Sequence, residues 1–189
     1  MKYLSFFILL FIGELSVSAQ HMFSRQFPFF NQLSSNEIFS IHQDREGYFW
    51  IGTTNGLARY DGYQLNTFRT DYKNQNLLTD NGITAINDND LYVWIGTWKG
   101  LNLYNKQTCR ITPFSDARLL DKVVDAITVD KDGNVWVSAG GMIYRCDSTA
   151  YIIKEYEVGN IQEGYAISNI YADQQKQLWA VGSRGILQI

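Results

Sequence analysis

Four tryptophans, Trp50, Trp94, Trp136 and Trp179, recur at intervals of 44, 42 and 43 residues, each inside the same short phrase. The phrases read YFWIGTTNGLARYD, YVWIGTWKGLNLYN, NVWVSAGGMIYRCD and QLWAVGSRGILQI. Self-similarity at this period marks a repeat architecture. A repeat array is a surface for recognition, and its repeated residues are scaffold before they are chemistry.

Aligned on the tryptophan, the copies share more than the phrase. β-Branched residues stand twelve and nine positions upstream, as Ile38 and Ile41, Val124 and Ile127, and Ile167 and Ile170. The second copy is one residue shorter, so Ile83 and Ile86 lie eleven and eight upstream. Six upstream is aspartate in every copy: Asp44, Asp88, Asp130 and Asp173. Six downstream is glycine in three copies, Gly56, Gly100 and Gly185, with Met142 after Gly140 and Gly141 in the third. Ten downstream come Tyr60, Tyr104, Cys146 and Ile189.

Each unit breaks into runs of four to seven aromatic and β-branched residues separated by bends such as Glu46-Gly47 and Asp61-Gly62. Such runs read as strands and such bends as tight turns. Four strands per roughly 43 residues is the content of one β-propeller blade. The expected fold is all-β: about four four-stranded blades, around residues 36–70, 81–114, 122–157 and 165–189. In that frame each tryptophan packs between blades, each glycine permits a bend, and each aspartate holds a turn through side-chain to backbone hydrogen bonds.

The phrase from residue 44 to 61, Asp-x-x-Gly-x-x-Trp-Ile-Gly-Thr-x-x-Gly-Leu-x-x-Tyr-Asp, resembles the two-component regulator propeller repeat. The opening stretch from residue 23 to 38, with Leu33-Ser34-Ser35-Asn36, is similar to the start of the same sensors. The third and fourth copies depart from the pattern, with Ser138 for the first glycine, Cys146 for the tyrosine and Lys176 for the turn glycine. The resemblance implies the periplasmic sensor region of a hybrid two-component regulator of gut Bacteroidetes. Full-length members detect carbohydrate breakdown products and carry many more repeats, a β-sandwich, a membrane span, a histidine kinase core and a DNA-binding output. This sequence matches none of those later parts, so no kinase residue carries over. A fragment of such a sensor is the expectation.

Residues 1–19 read as a cleavable signal peptide: Lys2, an apolar stretch over residues 3–13, then Val17-Ser18-Ala19 before Gln20. Cleavage after Ala19 and a periplasmic location follow, with no further span in the mature chain. A net charge of −3 with interspersed signs gives no case for nucleic acid. Cys109 and Cys146 are expected in strands of neighbouring blades as unpaired apolar fillers. No spacing of histidines and cysteines supports a zinc site, and no cofactor motif is present.

Whether the blades close is a question of strand count. Residues 22–29 could supply the missing fourth strand of the last blade. Sequences of this family form seven-bladed rings, so an open arc, an incomplete seven-bladed propeller, is expected over a four-bladed ring. Its uncovered ends would invite contact with other propeller blades or self-association.

Candidate ligand contacts lie in the turns between second and third strands: Asn55, Trp98 with Lys99, and Arg184. Trp98 is the one tryptophan off the repeat, suited to stack on a sugar ring of an oligosaccharide, or alternatively to cover a neighbouring blade. No catalytic residue is nominated. His21 and His42 are the only histidines, and neither Gly-x-Ser-x-Gly nor a phosphate loop occurs. The leading expectation is a periplasmic carbohydrate-sensing segment without enzyme activity. A protein-interaction scaffold and a propeller lyase or glycosidase are the alternatives.

Overall fold

Short apolar runs between glycine-bearing bends build four antiparallel meanders of one design. The computed structural model describes residues 25–70, 77–158 and 166–189. The expected leader and its cleavage point lie outside those residues. The first blade is β1 (Ile38–Gln43), β2 (Phe49–Thr53), β3 (Gly56–Tyr60) and β4 (Leu65–Phe68). The second is β5 (Ile83–Asp88), β6 (Tyr92–Thr97), β7 (Gly100–Asn105) and β8 (Arg110–Pro113). The third is β9 (Val124–Val129), β10 (Val135–Ala139), β11 (Met142–Cys146) and β12 (Ile152–Glu157). The last has β13 (Ile167–Ala172), β14 (Leu178–Gly182) and β15 (Gly185–Gln188). Spatial order follows chain order in every sheet, and β1 abuts β5, β5 abuts β9 and β9 abuts β13. The fold is therefore all-β, made of propeller blades whose first strands are innermost. Among the described residues no helix is long and apolar enough to cross a membrane.

The aspartate and tryptophan of each phrase form one latch. Asp44 Oδ1 accepts the amides of Glu46 and Tyr48 at 3.0 and 2.9 Å, and its Oδ2 accepts Trp50 Nε1–H at 2.7 Å. Asp130 makes the same three bonds to Asp132, Asn134 and Trp136, and Asp173 to Gln175, Gln177 and Trp179. One carboxylate thus closes the first hairpin and fixes the indole that faces the next blade. The later glycine is equally physical: Gly56, Gly100 and Gly185 sit at φ +125°, +114° and +115°, where a Cβ is strained.

The second copy corrects the expectation for Asp88. Strand register pairs Asp88 with Val93, as Gln43 pairs with Phe49, Val129 with Val135 and Ala172 with Leu178. Asp88 is therefore a strand residue one place before the turn, and Asn89 is the equivalent of Asp44. Asn89 Oδ1 accepts the Leu91 and Tyr92 amides across a turn shortened by one residue. Trp94 Nε1 is left buried without a partner. Asp88 instead points at the preceding blade, accepting from His42 Nε2 and Lys106 Nζ at 2.7 Å each and from the Arg45 amide at 3.2 Å. Burial pushes its carboxyl up, but the His42, Lys106 and Arg45 hydrogen bonds outweigh that and hold it at about 2.

Blades join by closing the trailing face of one over the leading face of the next. Trp50 and Leu57 cover Ile83, Ile86, Val93 and Ile95. Trp94 and Leu101 cover Val124 and Ile127, and Ile143 with Trp136 covers Ile167 and Ile170. Approach is close enough that a Cβ on Gly52 would meet Ile83 at 2.6 Å, and one on Gly96 would meet Val124 at 2.7 Å. Cys146 is buried in such a junction, where desolvation pushes its thiol up to about 12. Cys109 departs from expectation: it is exposed, in the turn before β8, at φ +55°. Both thiols are free.

The seam between last and first blade is open. Ile41 is 67% exposed, while its equivalents Ile86, Ile127 and Ile170 are buried. Ile186 is 69% exposed, while its equivalents Leu57, Leu101 and Ile143 are buried. The described part of the proposed closing strand, residues 25–29, is not in a strand and does not join β15. Phe27 and Phe29 pack instead on Tyr60 of the first blade, with ring centroids 5.0 and 5.3 Å away.

Two outcomes are expected. Trp50→Phe will cost about 1–3 kcal/mol more than Trp94→Phe in urea unfolding, because only the former strips a hydrogen bond from a buried carboxylate. Asp88 has its folded pKa below the ordinary 3.8, so its contribution is full above 3.8 and lost as pH falls toward about 2. Over that window the melting temperature of Asp88→Asn will fall less than that of the unsubstituted chain.

Candidate functional site

A strand alternates its faces with period two, so residues three apart cannot both face the neighbouring blade unless an extra residue intervenes. The repeated β-branched pair has that three-residue spacing in every copy. Each first strand accordingly carries a bulge between its two members, at Phe39, Thr84, Asp125 and Ser168. Those four residues differ in every copy although their flanks repeat, and all four line one groove along the axis, about 230 Å³ in volume, with Ser40 and Asn169.

Two of the four are committed to scaffold bonds. Thr84 Oγ1 donates to the Val124 carbonyl at 2.5 Å, and Ser168 Oγ to the Val181 carbonyl at 3.1 Å. Phe39 is more than half exposed. Asp125 is half-buried, and desolvation pushes its carboxyl above the usual aspartate range; the Ser138 hydroxyl opposes that only in part. Ser138 Oγ is buried and makes no hydrogen bond of good geometry. Asp125 also borders a second cleft, with Lys122 and the Gly140-Gly141 turn, so the groove opens toward the face bearing the turns between second and third strands.

Trp98 stands on that face and reaches the groove through Phe39. The two rings meet edge to face with centroids 6.2 Å apart, and Trp98 is 45% exposed. Gly82 seats the indole: a Cβ there would lie 2.4 Å from Trp98 Cε3, and the Trp98 amide donates to the Gly82 carbonyl at 3.1 Å. Trp98 therefore rests on a neighbouring segment on one side and keeps an open ring edge on the other.

The other nominated residues are scattered. Lys99 is exposed beside Trp98, and its amide is held by Thr97 Oγ1. Asn55 is exposed in the turn before β3, with its Nδ2 donating to the carbonyl of Ser34 in the segment before β1 at 3.2 Å and its carbonyl accepting from Arg69 Nε at 2.9 Å. Arg184 is exposed in the corresponding turn of the last blade. Sequence reasoning did not reach Phe39 or Asp125. The signal was the odd spacing of the repeated isoleucines, which demands a bulge. Among the described residues no three histidine, cysteine or acidic side chains gather to hold a metal.

Residues 32–55, within and just before the first copy, match the family model described as "Two component regulator propeller". No curated protein matches the chain. Among solved structures, the extracellular domain of the proposed hybrid two component system BT3049 from B. thetaiotaomicron superposes with TM-score 0.64 at 23% identity, over 83% of this chain and 22% of that one. Virginiamycin B lyase from Staphylococcus aureus gives 0.61 at 18% identity, over 81% and 55%. The WD40 beta propeller domain of Doa1 gives 0.61 at 9% identity, over 80% and 49%. At these identities the likeness establishes the propeller fold. The chain spans about a fifth of that extracellular domain's length.

Gly82→Ala is expected to unseat Trp98. Iodide will then quench a larger share of the tryptophan fluorescence, and the increase will vanish in a Trp98→Phe background.

Proposed function

We propose that this chain is a ligand-sensing propeller segment of a periplasmic two-component signalling system, and that the ligand is a carbohydrate. The observation that carries this reading is the Phe39–Trp98 pair, an exposed aromatic edge at the mouth of an axial groove that holds a partly desolvated carboxylate. Sugar rings combine an apolar C–H face with hydroxyl donors, and this combination of surfaces suits both. Trp98 and Phe39 stack on the ring face. Asp125 accepts hydroxyl donors, which compensates the solvation it has lost, and Lys99 covers the exposed side. The two-component repeat at residues 32–55 supports a signalling context, and the fold is shared with a sensor domain. Because the groove is lined by the inner strands of all four blades, a ligand there favours one relative arrangement of blades, which is the kind of change a sensor transmits.

A lyase reading draws on the likeness to virginiamycin B lyase. It is less favoured, since His42, the histidine among the described residues, is bound to Asp88 at 2.7 Å within a blade junction.

Isothermal titration against a panel of oligosaccharides tests the proposal. One glycan class should bind, with affinity reduced about tenfold or more in Trp98→Ala, the scale of a lost aromatic stacking contact. Asp125→Asn should also weaken binding, and should flatten a rise in affinity as pH climbs through the carboxylate range. Asn55→Ala should leave affinity unchanged. Binding indifferent to both Trp98 and Asp125 would reject the site.

A further inference from the structure

Turns between second and third strands follow one design in the first two blades. The Thr53 and Thr97 hydroxyl oxygens each accept a turn amide, from Asn55 at 3.0 Å and from Lys99 at 3.1 Å. The other turn amide binds back to the same blade, Thr54 donating to the Glu37 carbonyl and Trp98 to the Gly82 carbonyl, each at 3.1 Å. Ser183 does likewise in the last blade, donating to the Ala166 carbonyl at 2.9 Å. The third blade departs from this. Ala139 stands in the place of the threonines and has no hydroxyl, and the turn is Gly140-Gly141. Both glycines have positive φ, +59° and +79°, as a type I′ turn requires. In the other blades positive φ falls on the glycine after the turn, as at Gly56 and Gly100. Neither the Gly140 nor the Gly141 amide has a partner among the described residues.

This turn lines the cleft between the third and fourth blades, about 420 Å³ in volume, together with Lys122, Asp125, Ala166 and Ile167. Lys122 lies along the turn, where a Cβ on Gly140 would meet its Cδ at 3.1 Å. Its ammonium donates to the Tyr144 hydroxyl at 3.0 Å, which leaves two of its three N–H groups for another acceptor. Among the described residues Lys122 is paired with no carboxylate. The cleft therefore combines a cation with two backbone donors of a tight turn, a set that suits an oxyanion. Asp125 is the wall that cleft and axial groove share, and it offers an acceptor there.

We infer that Lys122 and the Gly140-Gly141 turn form a subsite for the carboxylate of an acidic sugar, beside the axial groove. The ligand class is then a uronic-acid saccharide. Its carboxylate takes the Lys122 ammonium and the turn amides, and its hydroxyls donate to Asp125 where cleft and groove meet. Lysine suits this task as a compact charge with rotatable donors. The subsite rests on the carbohydrate reading above and adds to it the charge of the ligand and the residues that select it.

Amide NMR spectra of the isotope-labelled chain, titrated with glucuronate, glucose and acetate, read the turn directly. The Gly140 and Gly141 resonances should shift and saturate with glucuronate, at an affinity about tenfold or more above that for glucose or acetate. Lys122→Gln should abolish this preference and Lys122→Arg should keep it, with resonances distant from the cleft undisturbed in both variants. An equal response to glucose would mean that charge is not selected, and an equal response to acetate that no sugar is. Either result overturns the subsite, as does a turn that fails to respond or a preference that survives Lys122→Gln. The two sites fail separately. Neutral glycans bound through Trp98, with no glucuronate preference at the turn, would sink the subsite and leave the carbohydrate reading standing. Glucuronate held at the turn, with no glycan binding sensitive to Trp98, would sink the Phe39–Trp98 site instead.

Discussion

A propeller blade is a sheet of four strands with apolar residues on both faces, so it cannot be satisfied by solvent on either side. Everything else in this molecule depends on how one blade's trailing face closes over the next blade's leading face. The tryptophan and the following leucine or isoleucine form the trailing half, and the paired β-branched residues of the next first strand form the leading half. Glycine at positions 52 and 96 lets the backbones approach closely enough for that contact. Burying these faces supplies the core, and at the seam Ile41 and Ile186 stay exposed among the described residues.

The hairpin latch makes the junction repeatable. In three blades one carboxylate closes a turn and holds the indole at a fixed tilt, so local turn chemistry sets the geometry of a contact between blades. The second blade reaches the same packing by another route. A one-residue deletion passes the turn to Asn89, whose amide oxygen caps the bend but does not hold the indole, and the buried Trp94 nitrogen goes unpartnered. The freed Asp88 ties the first two blades together through His42 and Lys106. Breaking such a buried group leaves an uncompensated charge, so the link is worth more as a specifier of which faces meet than as a net source of stability.

The candidate site follows from the same construction. Forcing two residues three apart onto one side of a strand inserts a bulge, and the bulged residue turns to the axis. The scaffold is therefore free to repeat while four axial positions vary, as Phe39, Thr84, Asp125 and Ser168 do. Phe39 links the axis to Trp98 on the open face, which joins a position inside the repeat to the tryptophan outside it.

The tryptophan period determined the fold class, the number of blades and the strands within each, because stacking repeats must present like residues at like places. Trp98 was legible as an exposed aromatic for the reason that it breaks the period. Asp88 was misread because identity at a fixed offset from the tryptophan is not register, and only strand pairing reveals the deleted turn residue. Asn55 is exposed as a turn residue should be, but its hydrogen bond to the Ser34 carbonyl joins it to a segment outside the repeat, which no spacing within the repeat announces. The axial role of Asp125, the capping of Tyr60 by Phe27 and the open seam belong to the tertiary structure alone. Each depends on which groups distant segments bring together, and a repeat states the contacts between neighbouring copies but not what meets the first and the last.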